Sequence, residues 1–273
     1  MPDSVPAAAE PRPAASVIIV RDAPPGAPEP IEVYLVRRQR SMKFLGGFYA
    51  FPGGKVDPGD AARSVLDGCR GLDAARAAEC FPAHADLPPL AFWVTAVREL
   101  LEESGVVLAC NGAGVMVDPR EPRVAARADA ARQALVGNGA DFGALLAEAG
   151  WRCDLRPLRY LSHFVTPRTS PIRFSARFFL CRLPANQVPR LFTEETSEGF
   201  WIHPGEGHRR FLIKEMAMAE PAEYGLAYIA QFGSVDELWA ACADNDEKLT
   251  GIIDRIEFWH DFDWNASAWR PSR

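Results

Sequence analysis

Three glutamates, Glu99, Glu102 and Glu103, follow one another at a spacing that suits one side of a helix. At about 100° per residue their side chains occupy little more than a quarter-turn, opposite the apolar residues of the same segment. Like charges at this spacing repel each other. Hard oxygen ligands gathered in this way suit Mg²⁺ or Mn²⁺, which would neutralise them and hold phosphate oxygens at the same time.

An acidic helix face has a simpler explanation, because clusters of charge on solvent-exposed helices are common. The residues beside this cluster weigh against that alternative. Arg98 immediately precedes the glutamates, and Gly105 and Val106 close the segment. We therefore interpret the cluster as a cation-binding element.

The helix that carries the glutamates is predicted to begin after a proline pair and to run to Ser104, with Gly105 as a left-handed cap. Before it, β-branched and apolar residues predict two strands that a proline-rich loop separates. Glycine pairs at 46–47 and 53–54 indicate turns around a further short strand. The two longer strands are predicted at residues 15–21 and 31–37.

The rest of the chain alternates between helical and strand-like segments. Two short helices are predicted within residues 60–83. Further helices are predicted at 122–136, 141–149, 205–218, 221–232 and 234–243, and strands at 158–165, 173–182 and 200–202. Because no internal repeat or linker divides the chain, we expect one α/β domain over residues 14–273, behind a disordered Pro- and Ala-rich tail at 1–13.

The chain resembles the Nudix hydrolases, whose motif is G-x5-E-x7-R-E-U-x-E-E-x-G-U with U a bulky aliphatic residue. The second half of this motif is complete at residues 98–106, which read RELLEESGV. The first half is similar to residues 51–60, FPGGKVDPGD, with Asp57 and Asp60 where the family has glutamate. Residues 61–97 separate the two halves, so the motif is interrupted by an insertion.

An interruption of this length is similar to one Nudix branch, which contains coenzyme A diphosphatases. Residues 35–38 (LVRR), Gly47 and residues 51–54 (FPGG) resemble that branch's L-L-T-x-R … G-x3-F-P-G-G pattern. The branch's Ser-x3-Arg element is not cleanly matched, since Leu45 follows Ser41 at that spacing. The resemblance extends over roughly residues 14–235.

The resemblance implies a Nudix-like α/β/α sandwich with a mixed central sheet, extra helices and an insertion at about 61–90. It also implies a loop–helix–loop in which Gly54 offers a backbone carbonyl to Mg²⁺ or Mn²⁺. Glu99, Glu102 and Glu103 would be the other metal ligands and the catalytic residues. The metal would bridge the oxygens of a pyrophosphate and lower the pKa of a bound water that attacks phosphorus.

The resemblance assigns the remaining polar residues less directly. Arg98 is expected to orient the glutamates rather than to react. Asp60 is one methylene shorter than the usual glutamate and could be displaced by the insertion, so it ranks below the helix glutamates. The general base would be a glutamate of the motif or a later loop acid, Glu195 or Glu198, although an ordinary solvated loop is the favoured explanation of those two acids.

Three arginines, Arg37, Arg38 and Arg40, precede the motif and are predicted to bind the phosphates of the substrate. The planar guanidinium group suits phosphate oxygens well. Ordinary surface cations at the end of a strand are an equally good explanation.

Composition and charge argue against several other functions. The 273-residue chain has a net charge of −6, so it has no general attraction for a nucleic-acid backbone. Its six cysteines form no C-x-x-C pair, and no segment approaches the roughly 20 apolar residues of a membrane span. We expect a cytoplasmic protein with reduced thiols and no signal peptide, without nucleic-acid or membrane partners, that could form a homodimer.

The leading functional hypothesis is cleavage of coenzyme A or acyl-coenzyme A into 3′,5′-ADP and phosphopantetheine products. The same chemistry could instead act on ADP-ribose or NADH. A degenerate Nudix domain could also bind a nucleotide without hydrolysing it, an idea that Asp57, Asp60 and the insertion motivate. The insertion could be a lid, a dimer contact or a specificity loop.

Overall fold

The computed structural model describes residues 9–81 and 87–243. In chain order, its strands are β1 (Arg12–Asp22), β2 (Ile31–Arg38), β3 (Tyr49–Ala50), β4 (Gly53–Lys55), β5 (Ala109–Cys110), β6 (Arg152–Cys153), β7 (Leu158–Val165), β8 (Phe174–Arg182) and β9 (Thr196–Ile202). Its α-helices are α1 (Arg63–Leu66), α2 (Ala74–Cys80), α3 (Leu90–Ser104), α4 (Pro122–Asn138), α5 (Phe142–Ala149), α6 (Pro204–Leu212), α7 (Glu220–Ile229) and α8 (Val235–Ala241). A 3₁₀ turn, Pro58–Ala61, precedes α1.

A mixed sheet with the strand order β3-β2-β1-β8-β7 lies at the centre of the molecule. β1 runs parallel to β8, with Val17 beside Phe179, and antiparallel to β2 and β4. β9 pairs with β2, where Arg37 lies beside Glu198. A smaller sheet joins β5 to β6. The predicted α/β class with a mixed central sheet is confirmed.

Helices cover both faces of the central sheet, which explains why β1 is a continuous apolar run rather than an alternation. Val17 and Ile19 belong to a core shared with α3, whereas Ile18 and Val20 belong to a core shared with α7 and α8. All four side chains are fully buried. Burial of each contributes about 1.5–3 kcal/mol, so both layers hold this strand in place.

The glutamate helix α3 lies within the first core rather than on the surface. All of its residues except Glu102 and Glu103 are buried, so its polar side is enclosed as well as its apolar side. The helix ends where the sequence predicts. Gly105 has a left-handed φ of 66°, and its N–H donates to the carbonyl of Leu101. Glycine adopts this conformation without the strain that a side chain would add.

The insertion forms part of the cover over α3. Helices α1 and α2 both pack against α3, and Phe81 stacks on Trp93 with ring centroids 5.2 Å apart. The two short helices predicted in this region are confirmed, while residues 82–86 lie outside the described residues. The suggested roles of the insertion as a lid, a dimer contact or a specificity loop stay predictions.

Several predicted boundaries differ from the structure. Strand β1 begins at Arg12, because its pairing with β8 extends to that residue, so the predicted boundary at residue 14 falls inside a strand. Residues 1–8 of the predicted tail and residues 244–273 of the predicted domain lie outside the described residues. Helix α6 ends at Leu212 instead of 218, because Lys214 turns the chain with a φ of 66°.

Strand β9 is longer than predicted, because it already pairs with β2 at Thr196. The short strands β4, β5 and β6 have no counterpart among the predicted segments, whereas the other helices and strands agree with them to within a few residues. None of the helices in the described part of the chain combines the length and the apolar character that crossing a bilayer requires.

Candidate active site

A cavity of about 530 Å³ lies beside the C-terminal half of α3. Its lining includes Glu99, Glu102 and Glu103 together with Gly53 and Gly54. The other walls are largely aromatic and aliphatic, with Met42, Phe44, Leu45, Phe51, Phe164, Phe174, Phe178 and Phe192. The three glutamates and the glycines of β4 therefore line the same cavity.

Gly53 and Gly54 form strand β4 instead of the predicted turn and lie close against the glutamates. A Cβ on Gly54 would lie 2.3 Å from Oε1 of Glu99. The N–H of Gly53 donates a hydrogen bond of 3.1 Å to Oε2 of Glu103. A Cβ on Gly53 would also lie 2.4 Å from the carbonyl oxygen of Ala15, on the paired strand β1. Close packing against β1 therefore requires Gly53, whereas a side chain at Gly54 would displace the carboxylate of Glu99.

Arg98 lies at the centre of the acidic cluster and uses every nitrogen of its guanidinium group. Nη1 donates to Oε1 of Glu99 at 2.8 Å and to Oε1 of Glu102 at 2.9 Å. Nη2 donates to the carbonyl of Lys55 at 2.8 Å, and Nε donates to Oδ1 of Asp60 at 2.9 Å. The side chain is only 5% exposed. This geometry supports an orienting role for Arg98 rather than contact with a substrate.

Asp60 fixes Arg98, and the insertion does not displace this residue from the motif. Its side chain is buried and accepts hydrogen bonds from Nε and Nη2 of Arg98, both at 2.9 Å. It also accepts from Oγ1 of Thr95 at 2.8 Å and from the N–H of Asp57 at 3.0 Å. The 3₁₀ turn brings the backbone of Asp60 against α3, which offsets the missing methylene.

Burial raises the pKa of all three glutamates of the cavity. It raises the pKa of Glu99 well above its usual range, against the opposing charge of Arg98. It raises the pKa of Glu102 against the same charge. It raises the pKa of Glu103 to about 7, against the charge of Arg38. Buried carboxylates with too few cations around them are stabilised by an added cation.

The donor atoms at this site fit a divalent cation in chemical type. Carboxylate and carbonyl oxygens are the ligands that Mg²⁺ and Mn²⁺ prefer. Within residues 9–81 and 87–243, however, no three His, Cys, Asp or Glu side chains already stand close enough to hold an ion. In this arrangement Nη1 of Arg98 binds both Glu99 and Glu102.

The three arginines predicted to bind phosphate have different surroundings. Arg38 lines the cavity, and its Nε donates to the carbonyl of Phe44 at 3.3 Å. Arg37 lies outside the cavity lining, because its Nη1 binds Oε1 of Glu198 at 2.7 Å on the paired strand. Arg40 is exposed and also lies outside the lining. Only Arg38, of these three, is placed to meet a substrate in the cavity.

The two loop acids proposed from the sequence are also separated by the structure. Glu195 lines the cavity and, together with burial, raises the pKa of Glu103. Glu198 is bound to Arg37, and its Oε2 accepts a hydrogen bond of 3.4 Å from the hydroxyl of Tyr49. Glu198 therefore links β9 to its neighbouring strands, and Glu195 is the loop acid that faces the site.

Sequence reasoning missed Arg132, which lines the same cavity from α4. Its Nε donates to the backbone carbonyl of Glu102 at 2.7 Å. Ala128, Arg132 and Leu135 are buried at helical spacing on α4. An arginine within an apolar row of a helix is a signal that the sequence does carry, because such a residue needs buried partners.

The interrupted motif and the cavity around it agree with a comparison against known families. Residues 11–229 match the family model described as the NUDT19 Nudix domain. The chain belongs to the Nudix hydrolase family. The resemblance stated from the sequence is confirmed, and so is the prediction of a Nudix-type pyrophosphohydrolase. Nudix hydrolases generally use divalent metal cations, which agrees with the donor atoms of the cavity.

Named relatives of this Nudix hydrolase include two vertebrate proteins. The chain is 28% identical over 275 residues to the human acyl-coenzyme A diphosphatase NUDT19, and this match covers 86% of the chain and 69% of the human protein. It is 27% identical over 276 residues to the chicken protein of the same name, and this match covers 85% of the chain and 71% of the chicken protein. The crystal structure of a NUDIX hydrolase from Alicyclobacillus acidocaldarius matches with a TM-score of 0.68 and 32% identity, over 83% of this chain and 94% of that chain.

Proposed function

We propose that this Nudix hydrolase cleaves the pyrophosphate linkage of coenzyme A or acyl-coenzyme A. A water oxygen would bond to one phosphorus and the bridging P–O bond would break, giving 3′,5′-ADP and phosphopantetheine or its acyl form. The observation that carries the proposal is that the three glutamates and the glycines of β4 line one cavity. The relatives named acyl-coenzyme A diphosphatase support the choice of substrate.

Mg²⁺ or Mn²⁺ is the proposed cofactor, with Glu99, Glu102, Glu103 and the carbonyl of Gly54 as its ligands. When bound, such a cation polarises phosphate oxygens and lowers the pKa of a coordinated water. The chain contributes the arrangement of the ligands, because Arg98 holds two of the carboxylates and the Gly53 N–H holds the third.

Glu195 is the proposed general base, because it is the loop acid that lines the cavity. It would take a proton from the attacking water and, being exposed, release it to solvent. Arg38, which also lines the cavity, would bind a phosphate of the substrate. Glu103 is the alternative base within the motif, since it lines the same cavity.

The apolar part of the cavity supports a substrate with an uncharged arm. Phe44 meets Phe174 edge to face at 5.1 Å, and Phe164 meets Phe178 in the same way at 5.2 Å. A phosphopantetheine arm or its thioester could lie on this wall while the pyrophosphate faces the glutamates. ADP-ribose or NADH would place a sugar or a nicotinamide there, which makes them the alternative substrates.

A substrate panel tests the proposal: coenzyme A, a medium-chain acyl-coenzyme A, ADP-ribose and NADH, each with Mg²⁺, Mn²⁺ or excess EDTA. We expect metal-dependent release of 3′,5′-ADP from coenzyme A or its acyl form. Glu102→Gln and Glu103→Gln should lower kcat by more than the roughly 10–100-fold that loss of an outer-shell partner costs. Glu148→Gln, on the exposed side of α5, is the matched control. If coenzyme A and its acyl form are inert while ADP-ribose is cleaved rapidly, the proposed substrate is wrong. If Glu102→Gln keeps full activity, the proposed metal site is wrong.

A cytoplasmic location and a homodimer are further parts of the proposal, and both come from the sequence alone. Cell fractionation tests the location. Light scattering of the purified chain at micromolar concentration tests the oligomeric state, and a monomer would remove the suggestion that the insertion is a dimer contact.

A further inference from the structure

One buried cation of the cavity wall, Arg132, has no part in the mechanism proposed above. It lies in the row of α4 that packs inward, between Ala128 and Leu135, and is 5% exposed. A guanidinium group is costly to bury unless its charge and its hydrogen bonds are matched. The partners of Arg132 must therefore match both its charge and its hydrogen-bond donors.

Arg132 contacts two separate parts of the site. Its Nε donates to the backbone carbonyl of Glu102 at 2.7 Å. Its Nη1 and Nη2 donate to the two carboxylate oxygens of Glu194 at 3.2 and 3.0 Å. Its guanidinium carbon lies 3.3 Å from the ring centroid of Phe192. A single side chain thus joins the glutamate helix to the segment 192–194.

This segment leads directly to Glu195 and is held at both ends. The carbonyls of the last turn of α3 have no partners within the helix. Arg132 binds one of them, and the N–H of Arg190 donates to another, that of Ser104, at 2.8 Å. On the other side, the carbonyl of Glu195 accepts from the N–H of Gln39 at 2.8 Å. The position of Glu195 therefore depends on how the segment before it is docked.

We propose that Arg132 is a positioning residue, which fixes Glu195 beside the glutamates of α3. The proposal rests on the role as general base proposed above for Glu195. The two-pronged pair with Glu194 sets the direction of the neighbouring peptide, and the bond to the Glu102 carbonyl ties that peptide to the helix of the metal ligands. A misplacement of about 1 Å at a reacting group can cost about 10²-fold in rate.

If Arg132 only stabilises the packing around Phe192, the loss of another arginine beside that ring should have a comparable effect. Arg190 is that residue, because its guanidinium pairs with Asp129 of α4 and lies 5.1 Å from the ring of Phe192. It is about half exposed and outside the cavity lining. Arg190→Gln therefore matches Arg132→Gln in chemistry and neighbourhood but should leave Glu195 in place.

The kinetic test compares Arg132→Gln, Arg190→Gln, Glu195→Gln and the double variant Arg132→Gln/Glu195→Gln in metal-dependent turnover of coenzyme A. We expect Arg132→Gln to lower kcat about 10²-fold with KM changed less than about threefold, and Arg190→Gln to keep the wild-type kcat. Because Arg132 acts through Glu195, the double variant should be no slower than Glu195→Gln alone. A wild-type kcat in Arg132→Gln overturns the proposal, and so does a double variant slowed by the product of the two single effects.

A second measurement does not depend on the substrate. Hydrogen–deuterium exchange at residues 193–196 should be at least about tenfold faster in Arg132→Gln than in the wild type or Arg190→Gln. Unchanged exchange there overturns the proposal. If the wild type cleaves ADP-ribose instead of coenzyme A, the same four proteins are compared on ADP-ribose. If it cleaves neither, the proposed function fails and the exchange result alone decides whether Arg132 positions the segment.

Discussion

Arg98 and Asp60 are 38 residues apart in the chain, yet their side chains form a doubled ion pair in the protein interior. Nε and Nη2 of Arg98 each lie 2.9 Å from an oxygen of Asp60, and both side chains are nearly inaccessible to solvent. The chain leaves the motif after Asp60 and returns to it before Arg98. The pair therefore closes the interrupted motif and explains why the insertion leaves the site intact.

Asp60→Asn turns one of the oxygens that accept from Arg98 into an N–H donor, while Glu99 and Glu102 still face the guanidinium group. A buried donor left without an acceptor costs about 1–3 kcal/mol, so the free energy of unfolding should fall by about that amount. Turnover should fall at least about tenfold in the folded variant, because Arg98 also holds Glu99 and Glu102. Urea denaturation and kcat at saturating metal measure the two effects.

Asp57→Asn is the matched control for stability. Asp57 lies 3.9 Å from Nη2 of Arg98 and is 58% exposed. An exposed pair contributes at most about 1 kcal/mol. Equal destabilisation by the two variants would contradict the central place given to Asp60.

Gly54→Ala should damage activity more than stability. The new Cβ would lie 2.3 Å from Oε1 of Glu99, so that carboxylate has to move although Arg98 also holds it. The displaced atom is the end of a side chain, which the fold can absorb at about 1–3 kcal/mol. A proposed metal ligand would lose its position, so the metal concentration for half-maximal turnover should rise at least about tenfold.

Gly112→Ala provides the comparison for this variant, because nothing lies within 4 Å of a Cβ at that position. It should keep the wild-type metal dependence and unfolding midpoint. Metal titrations of turnover are run on both proteins. Wild-type metal dependence in Gly54→Ala would mean that the close approach to Glu99 has no bearing on the site.

Glu195→Gln and Glu198→Gln separate the two loop acids. Loss of a general base costs about 10²–10⁴-fold in rate, so Glu195→Gln should lower kcat by that order. Glu198→Gln removes only the partner of Arg37, so kcat should fall less than about tenfold and stability by about 1 kcal/mol. Steady-state kinetics over pH 6–9 measure kcat for the two variants. If Glu198→Gln is the variant that loses activity, Glu198 is the general base. If both variants stay active, the base is a glutamate of the motif.

The local parts of the site could be predicted because their signals lie close together in the sequence. The spacing of Glu99, Glu102 and Glu103 and the glycine after them define α3 and its end. The glycine pair at 53–54 is an equally local signal, although these residues form strand β4 against β1 instead of the predicted turn. In β1, four consecutive apolar residues already indicate a strand that is covered on both faces.

Contacts between distant segments could not be predicted in this way. Arg37 lies outside the cavity lining because β2 pairs with β9 in the register that sets Arg37 beside Glu198. Asp60 keeps its place because the 3₁₀ turn docks on α3 before the insertion begins. Arg132 meets Glu194 across 62 residues, and no spacing rule connects them. Strand order and packing decide such contacts, and neither follows from local patterns.

The first turn of α7 holds two buried carboxyl groups that affect stability rather than chemistry. Burial raises the pKa of Glu220 to about 8 and that of Glu223 to about 7. Oε2 of Glu220 is buried and has no hydrogen-bond partner among the described residues. A glutamate of the unfolded chain titrates near about 4.3. Between these values the folded protein keeps protons that the unfolded chain has released.

We expect the wild type to lose stability as the pH rises from about 4 to about 8, because a raised folded pKa stabilises fully only below the unfolded pKa. Glu220→Gln, which stays neutral, should unfold at a higher temperature than the wild type at about pH 8 and at the same temperature at about pH 4. Glu215→Gln, 55% exposed on the preceding turn, is the control. Thermal unfolding in EDTA measures the difference between variant and wild type, which cancels the contribution of the cavity acids. Parallel curves for Glu220→Gln and the wild type would mean that this carboxyl is already ionised in the folded protein at about pH 5, despite its burial.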